Sequence, residues 1–253
     1  MYDLTDTTFI LIAKFDTIER LENAIMVTEF ITQNFHAEIL FLEIGQYPNN
    51  IFHRLAPQTL KYEFIEDYDE NLHRTWYINK GLEKVNTPYT AVWDIDVVIP
   101  PLQVVDAVNK LREGYEVAYP YDGHFYNTGN LIRKIYLKSR SLAFMCNHIK
   151  FMNLLYSDDA VGGAFIINTK NYKYIGGENE DFYGWGIEDG ERYMNWLNNG
   201  YRIFRAKGPL FHLSHPRGIN SLINRDDDVV IKKRIYVSTA IKYNGKDDFR
   251  DIH

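Results

Sequence analysis

Apolar strand-like segments alternate with amphipathic helix-like segments along the first half of the chain. Predicted strands cover residues 8–15, 36–44, 62–65, 88–95 and 116–119. Helical spacing of apolar residues predicts helices that follow Asp16 or Thr17, cover residues 71–85 and begin near Pro101. This order predicts an α/β fold with a doubly wound, mainly parallel sheet flanked by helices. Ligands of such sheets bind beyond the carboxyl ends of the strands.

The second half of the chain continues the pattern less regularly. We expect a helix near residues 131–151, strands over 161–168 and 201–206, a helix over 187–199, a turn over 211–218 and a helix near 229–243. The sequence contains no repeat, no low-complexity segment and no clear linker, so a single domain over residues 1–253 is predicted.

Composition excludes several classes of protein. The formal net charge is −6 and there is no dense Lys/Arg block, which argues against nucleic acid as the main partner. The single cysteine, Cys146, excludes an internal disulfide framework and favours a reducing, cytoplasmic setting. No apolar run reaches the roughly 18 residues of a membrane span. The first residues lack a basic region, so we expect a strand there rather than a signal peptide.

Two carboxylates end the apolar segment YTAVWDIDVVIPP, residues 89–101. If the strand continues through them, Asp94 and Asp96 lie on one face, because side chains two apart in a strand point the same way. Carboxylates at the edge of a core are usually paired or bound to metal. Similar patterns at residues 67–69 and 226–228 lie in polar segments and are interpreted as solvated turns or caps. The middle pair predicts a site for a divalent metal and a nucleotide diphosphate.

A second motif is GWGIEDGE, residues 184–191. Glycines on both sides of Trp185 allow the backbone to place a large ring over a ligand. Glu188 and Asp189 begin a predicted helix, where they can bind a sugar hydroxyl and accept its proton. Acidic residues in a first helical turn are also common without any function, because the helix dipole favours them. The neighbouring glycines and aromatics favour the functional interpretation.

The third motif is His212-x-x-His215 in a predicted turn. Imidazole nitrogens together with a carboxylate suit Mn²⁺ or a similar ion, so either histidine could complete a site begun by Asp96. Two histidines at this spacing are also compatible with unrelated positions on the surface or in the core.

These motifs together resemble a known family. Their order, DID after a strand, then VGGAF, GWGIEDGE and a terminal His turn, is similar to glycosyltransferases of the A-type fold, and most specifically to the β-1,4-galactosyltransferase and polypeptide N-acetylgalactosaminyltransferase group. Residues 73–81 also resemble the family's uridine-binding helix. The resemblance covers residues 8–218, and implies a nucleotide-binding half (8–120) and a half that binds the donor sugar and the acceptor (121–253).

The resemblance implies a role for each matching residue. Asp96 and His215 would bind Mn²⁺ or Mg²⁺, and Asp94 would face the ribose. Whether His212 is a third ligand stays open, because galactosyltransferases have methionine there. Asp189 would be the catalytic base, and Glu188 would bind donor or acceptor hydroxyls. The other expected donor-binding residues are Lys14, Phe15, Asp16, Arg74, Gly162, Gly163 and Trp185.

The implied activity is metal-dependent, inverting transfer of a hexose or N-acetylhexosamine, with galactose the first candidate, from a UDP-sugar to a glycan hydroxyl. The resemblance also implies polysaccharide or glycan assembly, with peripheral membrane association through a lipid-linked acceptor as a further expectation. Three alternatives stay open: a nucleotidyltransferase that makes sugar nucleotides, a non-catalytic carbohydrate- or nucleotide-binding protein, and a hydrolase with paired acids. The first of these is disfavoured because KFDTIERLENA lacks a glycine-rich phosphate loop.

Overall fold

The structure, a computed structural model, describes residues 1–156, 159–184 and 186–218 together with Lys232 and Tyr236. Its strands are β1 Tyr2–Ala13, β2 Phe35–Gly45, β3 Lys61–Glu66, β4 Tyr89–Trp93, β5 Val97–Val98, β6 Val117–Tyr119, β7 Phe125–Asn127, β8 Asn153–Leu154, β9 Ala164–Asn168, β10 Ile203–Arg205 and β11 Leu210–His212. Its helices are α1 Ile18–Asn34, α2 Asn50–Leu55, α3 Arg74–Lys84, α4 Pro101–Arg112, α5 Gly129–Ser139, α6 Leu142–Asn147, α7 Thr169–Tyr174 and α8 Glu188–Asn198, with a 3₁₀ turn at Ile149–Phe151.

Seven strands form the central sheet, in the order β10-β6-β9-β4-β1-β2-β3. β1 is parallel to β2 and β4, and β2 is parallel to β3. Only β9 among the described strands of this sheet is antiparallel to its neighbours, β4 and β6. The continuous apolar runs of β1 and β9 are buried, as expected for strands covered on both faces. The predicted α/β fold with a mainly parallel sheet is confirmed.

The predicted helices around the sheet begin where their caps indicated. The Thr17 side chain accepts a hydrogen bond from the Arg20 backbone N–H at the start of α1, and Pro101 occupies the first turn of α4. α1 follows the parallel strand β1, so its amino end faces the edge of the sheet where that strand ends. Among the described residues, no helix has the length and hydropathy that a membrane span requires.

The helix predicted near residues 131–151 is wrong as a single element. It divides into α5, α6 and the 3₁₀ turn, because Arg140 adopts the left-handed conformation (φ 57°) and ends α5. Ser141 then caps α6 by accepting from the Phe144 N–H. The short helices α2 and α7 were not predicted, and the helix near 229–243 lies outside the described residues.

A second, four-stranded sheet, β5-β11-β7-β8, lies beside the carboxyl end of β4. β11 is antiparallel to β5, with His212 opposite Val97, and parallel to β7, with His212 opposite Asn127. The turn predicted over 211–218 therefore begins as a strand. This pairing brings the His-x-x-His segment against the residue that precedes β5, which is Asp96.

Candidate functional site

The Asp94-Ile95-Asp96 segment is a tight turn rather than the end of a strand. β4 stops at Trp93, and the Val97 N–H donates to the Asp94 carbonyl at 3.2 Å. The prediction that Asp94 and Asp96 share a strand face is therefore wrong, because the chain turns between them to start β5. Their carboxylates contact different partners within the same cavity.

Asp96, His212 and His215 form a candidate metal centre. One ligand atom from each residue lies within 4.8 Å of the other two. The His215 Nε2 is 3.1 Å and the His212 Nε2 is 3.6 Å from the same carboxylate atom, Oδ2 of Asp96. One carboxylate oxygen and two imidazole nitrogens are a donor set that fits Mn²⁺. The structure brings both histidines to Asp96, as the sequence motifs indicated.

Hydrogen bonds on the far side of each ring fix which nitrogen faces Asp96. The His212 Nδ1 is 3.1 Å from the Asn127 side-chain oxygen, and the His215 Nδ1 is 2.8 Å from the Pro216 carbonyl oxygen. Because both acceptors are oxygens, Nδ1 carries a proton in each ring, and Nε2 is the nitrogen that can bind a metal ion when the ring is neutral. Outer partners of this kind are typical of metal-binding histidines.

The charges of this cluster favour an ionised Asp96. Burial alone would raise the pKa of the Asp96 carboxyl, but the two adjacent imidazoles outweigh it and hold that pKa well below its ordinary value. Burial would lower the pKa of His215, but Asp96 outweighs it and raises that pKa. Without a metal, a proton on His215 therefore supplies the positive charge that Asp96 requires.

Asp94 pairs with Arg74 on the opposite side of the turn. The Arg74 guanidinium, at the start of α3, donates to the Asp94 carboxylate. Burial raises the pKa of Asp94, and Arg74 offsets this only in part. Both residues line the cavity, so the predicted nucleotide residues Arg74 and Asp94 lie together.

Glu188 and Asp189 occupy the first turn of α8, as predicted. The residue before them, Ile187, has φ 73°, a conformation that is costly for a β-branched side chain. Backbone strain of this kind is concentrated at functional sites. Glu188 is 6% exposed, and burial followed by the neighbouring Asp189 raises the pKa of its carboxyl to about 7. The Asp189 side chain is 35% exposed and faces the cavity.

Replacing Glu188 by glutamine should change the pH dependence of unfolding. The folded protein holds a proton on Glu188 up to about pH 7, whereas the unfolded chain releases it near pH 4.5. The free energy of unfolding of the parent protein therefore falls as the pH rises from 4.5 to about 7, and this loss reaches its full size above pH 7. The difference in unfolding free energy between E188Q and the parent protein should shift by about 2 kcal/mol in favour of the variant from pH 5 to pH 8. Chemical denaturation at both pH values measures it, and a difference independent of pH would contradict the raised pKa.

The glycine pair before β9 lies between the two halves of the site. Gly163 has φ 81°, which favours glycine, and its carbonyl accepts from the Asp94 N–H at 2.9 Å. A Cβ added to Gly162 would lie 2.5 Å from the Asp189 Oδ2, so only glycine fits beside that carboxylate without displacing it. The pair thus connects the turn after β4 with the start of α8.

One cavity of about 890 Å³ contains most of the predicted site residues. Those that line it are Arg74, Asp94, Asp96, Gly162, Gly163, Glu188, Asp189, His212 and His215.

The donor-binding residues predicted at the end of the first strand do not line that cavity. Lys14, Phe15 and Asp16 are not among the described residues that line it. The Lys14 ammonium donates to the Asp69 carbonyl, Phe15 packs on Phe52 with ring centroids 5.4 Å apart, and Asp16 pairs with Arg20 at 3.1 Å. Trp185 lies outside the described residues.

Several residues at the site were not predicted, and three of them contact or surround the predicted groups. Arg20 lines the cavity from the first turn of α1, Asn127 supports His212 from β7, and Arg192 contacts Asp189 from the next turn of α8. Arg192 carried a signal that could have been used, because residues three apart on a helix are neighbours. Asn127 carried none, since its contact depends on the pairing of β7 with β11.

Comparisons with known proteins agree with the geometry. A family model described as the N-terminal domain of galactosyltransferase matches residues 143–216, which include the glycine pair, both acids and both histidines. Human β-1,4-galactosyltransferase 7 is 27% identical over 138 residues, which are 54% of this chain and 33% of that protein. The match thus spans about a third of the length of this relative.

Solved structures with the same fold cover nearly the whole chain. The catalytic domain of Drosophila β-1,4-galactosyltransferase 7 is similar with a TM-score of 0.57 and 14% identity, over 92% of this chain and 80% of that one. Glucosyl-3-phosphoglycerate synthase from Mycobacterium tuberculosis is similar with a TM-score of 0.51 and 14% identity, over 96% and 79%. The chain therefore has the glycosyltransferase A-type fold, and over residues 143–216 it is similar to the galactosyltransferase family.

Proposed function

We propose that this chain is a metal-dependent, inverting glycosyltransferase that moves a hexose or N-acetylhexosamine, with galactose the first candidate, from a UDP-sugar to a hydroxyl of a saccharide. The observation that carries the proposal is the placement of two different kinds of group in one cavity. The Asp96–His212–His215 cluster can bind a divalent ion, while Asp189 offers a carboxylate to a proton donor. Metal-dependent, inverting sugar transfer uses both: an ion that binds the leaving diphosphate and a base that takes the proton of the acceptor.

The metal centre would bind the diphosphate of the donor. Asp96, His212 and His215 would hold Mn²⁺, which neutralises charge on the leaving diphosphate when bound. A mutant of the Drosophila relative was crystallised with manganese, UDP-Gal and xylobiose, and the Mycobacterium relative with Mn²⁺, UDP and phosphoglyceric acid. Those complexes support a divalent ion with a UDP-sugar as the donor pair. Mg²⁺ is less suited to two imidazole ligands, since it prefers oxygen.

Donor orientation would depend on the residues around that centre. Arg74, paired with Asp94, would lie against the nucleoside, and Gly162 and Gly163 would give the donor sugar room. Glu188 would hold a sugar hydroxyl, and its buried protonated form could donate a hydrogen bond as well as accept one. Lys14, Phe15 and Asp16 would lie against the uridine, and Trp185 would lie over the diphosphate and sugar.

The transfer step needs one base. Asp189 would take the proton of the acceptor hydroxyl while the oxygen attacks the anomeric carbon, and the bond between that carbon and the diphosphate oxygen would break with UDP as the leaving group. Attack opposite the leaving group inverts the configuration. The acceptor proposed first is a saccharide, because the Drosophila relative binds xylobiose. We extend the proposal to polysaccharide or glycan assembly in the cytoplasm, on an acceptor held at the membrane by its lipid.

A thermal-shift screen tests the donor and the ion together. UDP-galactose, UDP-N-acetylgalactosamine, UDP-glucose and GDP-mannose are compared with and without Mn²⁺. We expect a UDP-sugar to raise the melting temperature by several degrees when Mn²⁺ is present and to change it little when Mn²⁺ is absent. A ligand at about 100 times its Kd stabilises the folded protein by about 2.7 kcal/mol, which corresponds to a shift of this size. Equal shifts with and without Mn²⁺ would contradict metal-assisted binding.

A transfer assay then separates the remaining alternatives. The selected donor is incubated with xylobiose, and the products are identified by mass spectrometry. A new glycoside supports the proposal, whereas free sugar in equal amounts with and without xylobiose indicates a hydrolase. Release of pyrophosphate from UTP and a sugar 1-phosphate would indicate a nucleotidyltransferase. Binding with no turnover of any kind would indicate a non-catalytic sugar-nucleotide binder.

A further inference from the structure

Arg192 is a buried cation in direct contact with the proposed base. Its side chain is 2% exposed, and its guanidinium lies over the Phe165 ring at 4.3 Å. One end, Nη1, donates to the Glu178 Oε2 at 2.9 Å, and the other, Nη2, donates to the Asp189 Oδ1. The two ends of one planar group thus join a buried carboxylate to a carboxylate in the cavity.

Glu178 is a rigid anchor for that guanidinium. Its side chain is 1% exposed and also accepts a hydrogen bond from the Tyr172 hydroxyl. Its backbone is held by the Asn79 side chain, which accepts from the Glu178 N–H at 2.8 Å and donates to the Glu178 carbonyl at 2.9 Å. Because α3 and α7 contribute these contacts, the position of Arg192 does not depend on α8 alone.

The two oxygens of Asp189 lie in different surroundings. Oδ1 accepts from Arg192, whereas Oδ2 lies against the Cα of Gly162, where a Cβ would come within 2.5 Å of it. Glycine and guanidinium together fix the plane of the carboxylate. A proton that arrives from the cavity therefore meets Oδ2, because Oδ1 is already used as an acceptor.

We propose that Arg192, anchored by Glu178, is the positioning residue for Asp189, and that the Asp189 Oδ2 is the atom that takes the proton of the acceptor hydroxyl. This rests on the proposed function. In the step, the O–H bond of the acceptor breaks, its proton moves to Oδ2, and the oxygen electron pair forms the new bond to the anomeric carbon as the bond to the diphosphate breaks. Misplacement of a base by about 1 Å can cost about 100-fold in rate.

A purely structural role for the same pair is the alternative. Buried ion pairs are common supports that contribute little net stability, and breaking one leaves an uncompensated charge. A structural role predicts that a variant loses stability and donor binding together. A positioning role predicts a fall in kcat with the donor KM preserved, because the metal centre and Arg74 bind the donor on other elements of the fold.

Arg192→Lys separates the two roles. Lysine keeps the charge but has no planar fork, so it cannot bind Glu178 and Asp189 in the same way. With UDP-galactose, Mn²⁺ and xylobiose, we expect kcat to fall about tenfold or more, while the donor KM and the Kd for UDP with Mn²⁺ change by less than about twofold. The control is Arg112→Lys, since Arg112 also makes a two-pronged pair, with Asp6 at 2.8 and 2.9 Å, at the opposite end of β1. That variant should retain the parent kcat.

Glu178→Gln decides the matter if Arg192→Lys does not fold. Glutamine keeps the volume and one acceptor oxygen, so Arg192 stays paired but is held less firmly, and kcat should fall about fivefold with KM preserved. A parent-like kcat in a folded variant, or a fall in kcat matched by equal losses in UDP affinity, would overturn the positioning role. Asp189→Asn is assayed beside it: if that variant is active, the proposed base fails, and if it is inactive while Arg192→Lys is active, only the positioning role fails.

Discussion

Asp189→Asn should lower kcat for sugar transfer by about 10²- to 10⁴-fold, the range that general-base catalysis contributes. Asparagine has the same shape, and its side-chain oxygen can still accept from Arg192. Its amide nitrogen would then occupy the position of Oδ2 beside Gly162, where it cannot take a proton. Orientation and packing are thus preserved while the basic group is removed.

The binding of UDP with Mn²⁺ should survive this change, because the metal centre lies in the turn before β5 and in and after β11, and not in α8. Calorimetry of UDP with Mn²⁺ therefore serves as the test of folding. Asp181→Asn is the matched control, since it removes the same charge from an exposed position in the loop before α8. A kcat for Asp189→Asn within tenfold of the Asp181→Asn value would show that another group takes the proton.

The local motifs predicted the identity of the residues at the site better than they predicted the geometry in which these residues are arranged. Asp96 and the two histidines were identifiable because carboxylate and imidazole are a metal-binding combination, and the structure places them together. The sequence did not indicate that the Asp94 and Asp96 carboxylates have different partners, Arg74 and the two histidines. This difference results from the turn over residues 94–96 that leads into β5, and β5 pairs with β11 more than a hundred residues away. Strands of two and three residues are too short to leave a periodicity in the sequence.

The unpredicted residue Arg192 illustrates a second limit. The motif GWGIEDGE identifies the acids that face the cavity, whereas Arg192, which contacts Asp189, is buried behind them. Its partner Glu178 reaches it from the loop that follows α7, a contact that no local pattern indicates. Residues that contact substrate can be recognised by their chemical type, while residues that position them depend on tertiary contacts.

Asp96→Ala should abolish the increase in UDP affinity that Mn²⁺ provides. Asp96 supplies the only carboxylate of the described metal cluster, and the charge of that carboxylate is what makes a divalent ion favourable beside two neutral imidazoles. Even loss of an outer partner of a metal ligand commonly costs 10- to 100-fold in metal affinity, so loss of this ligand should cost about 100-fold or more. Titration of Mn²⁺ in the presence of UDP measures it by calorimetry.

Asp122→Asn provides a matched control for that variant. Asp122 also pairs with a histidine, His124 at 2.8 Å, but neither residue lines the cavity, so the variant should bind Mn²⁺ and UDP as the parent does.

The parent protein should also bind Mn²⁺ less tightly as the pH falls, because Asp96 raises the pKa of His215 and a proton then competes with the ion for that ring. Removal of Asp96 takes away both a ligand and the contact that raises the pKa of His215. Unchanged Mn²⁺-dependent UDP binding in Asp96→Ala would therefore exclude this cluster as the metal centre, whatever the activity of the variant.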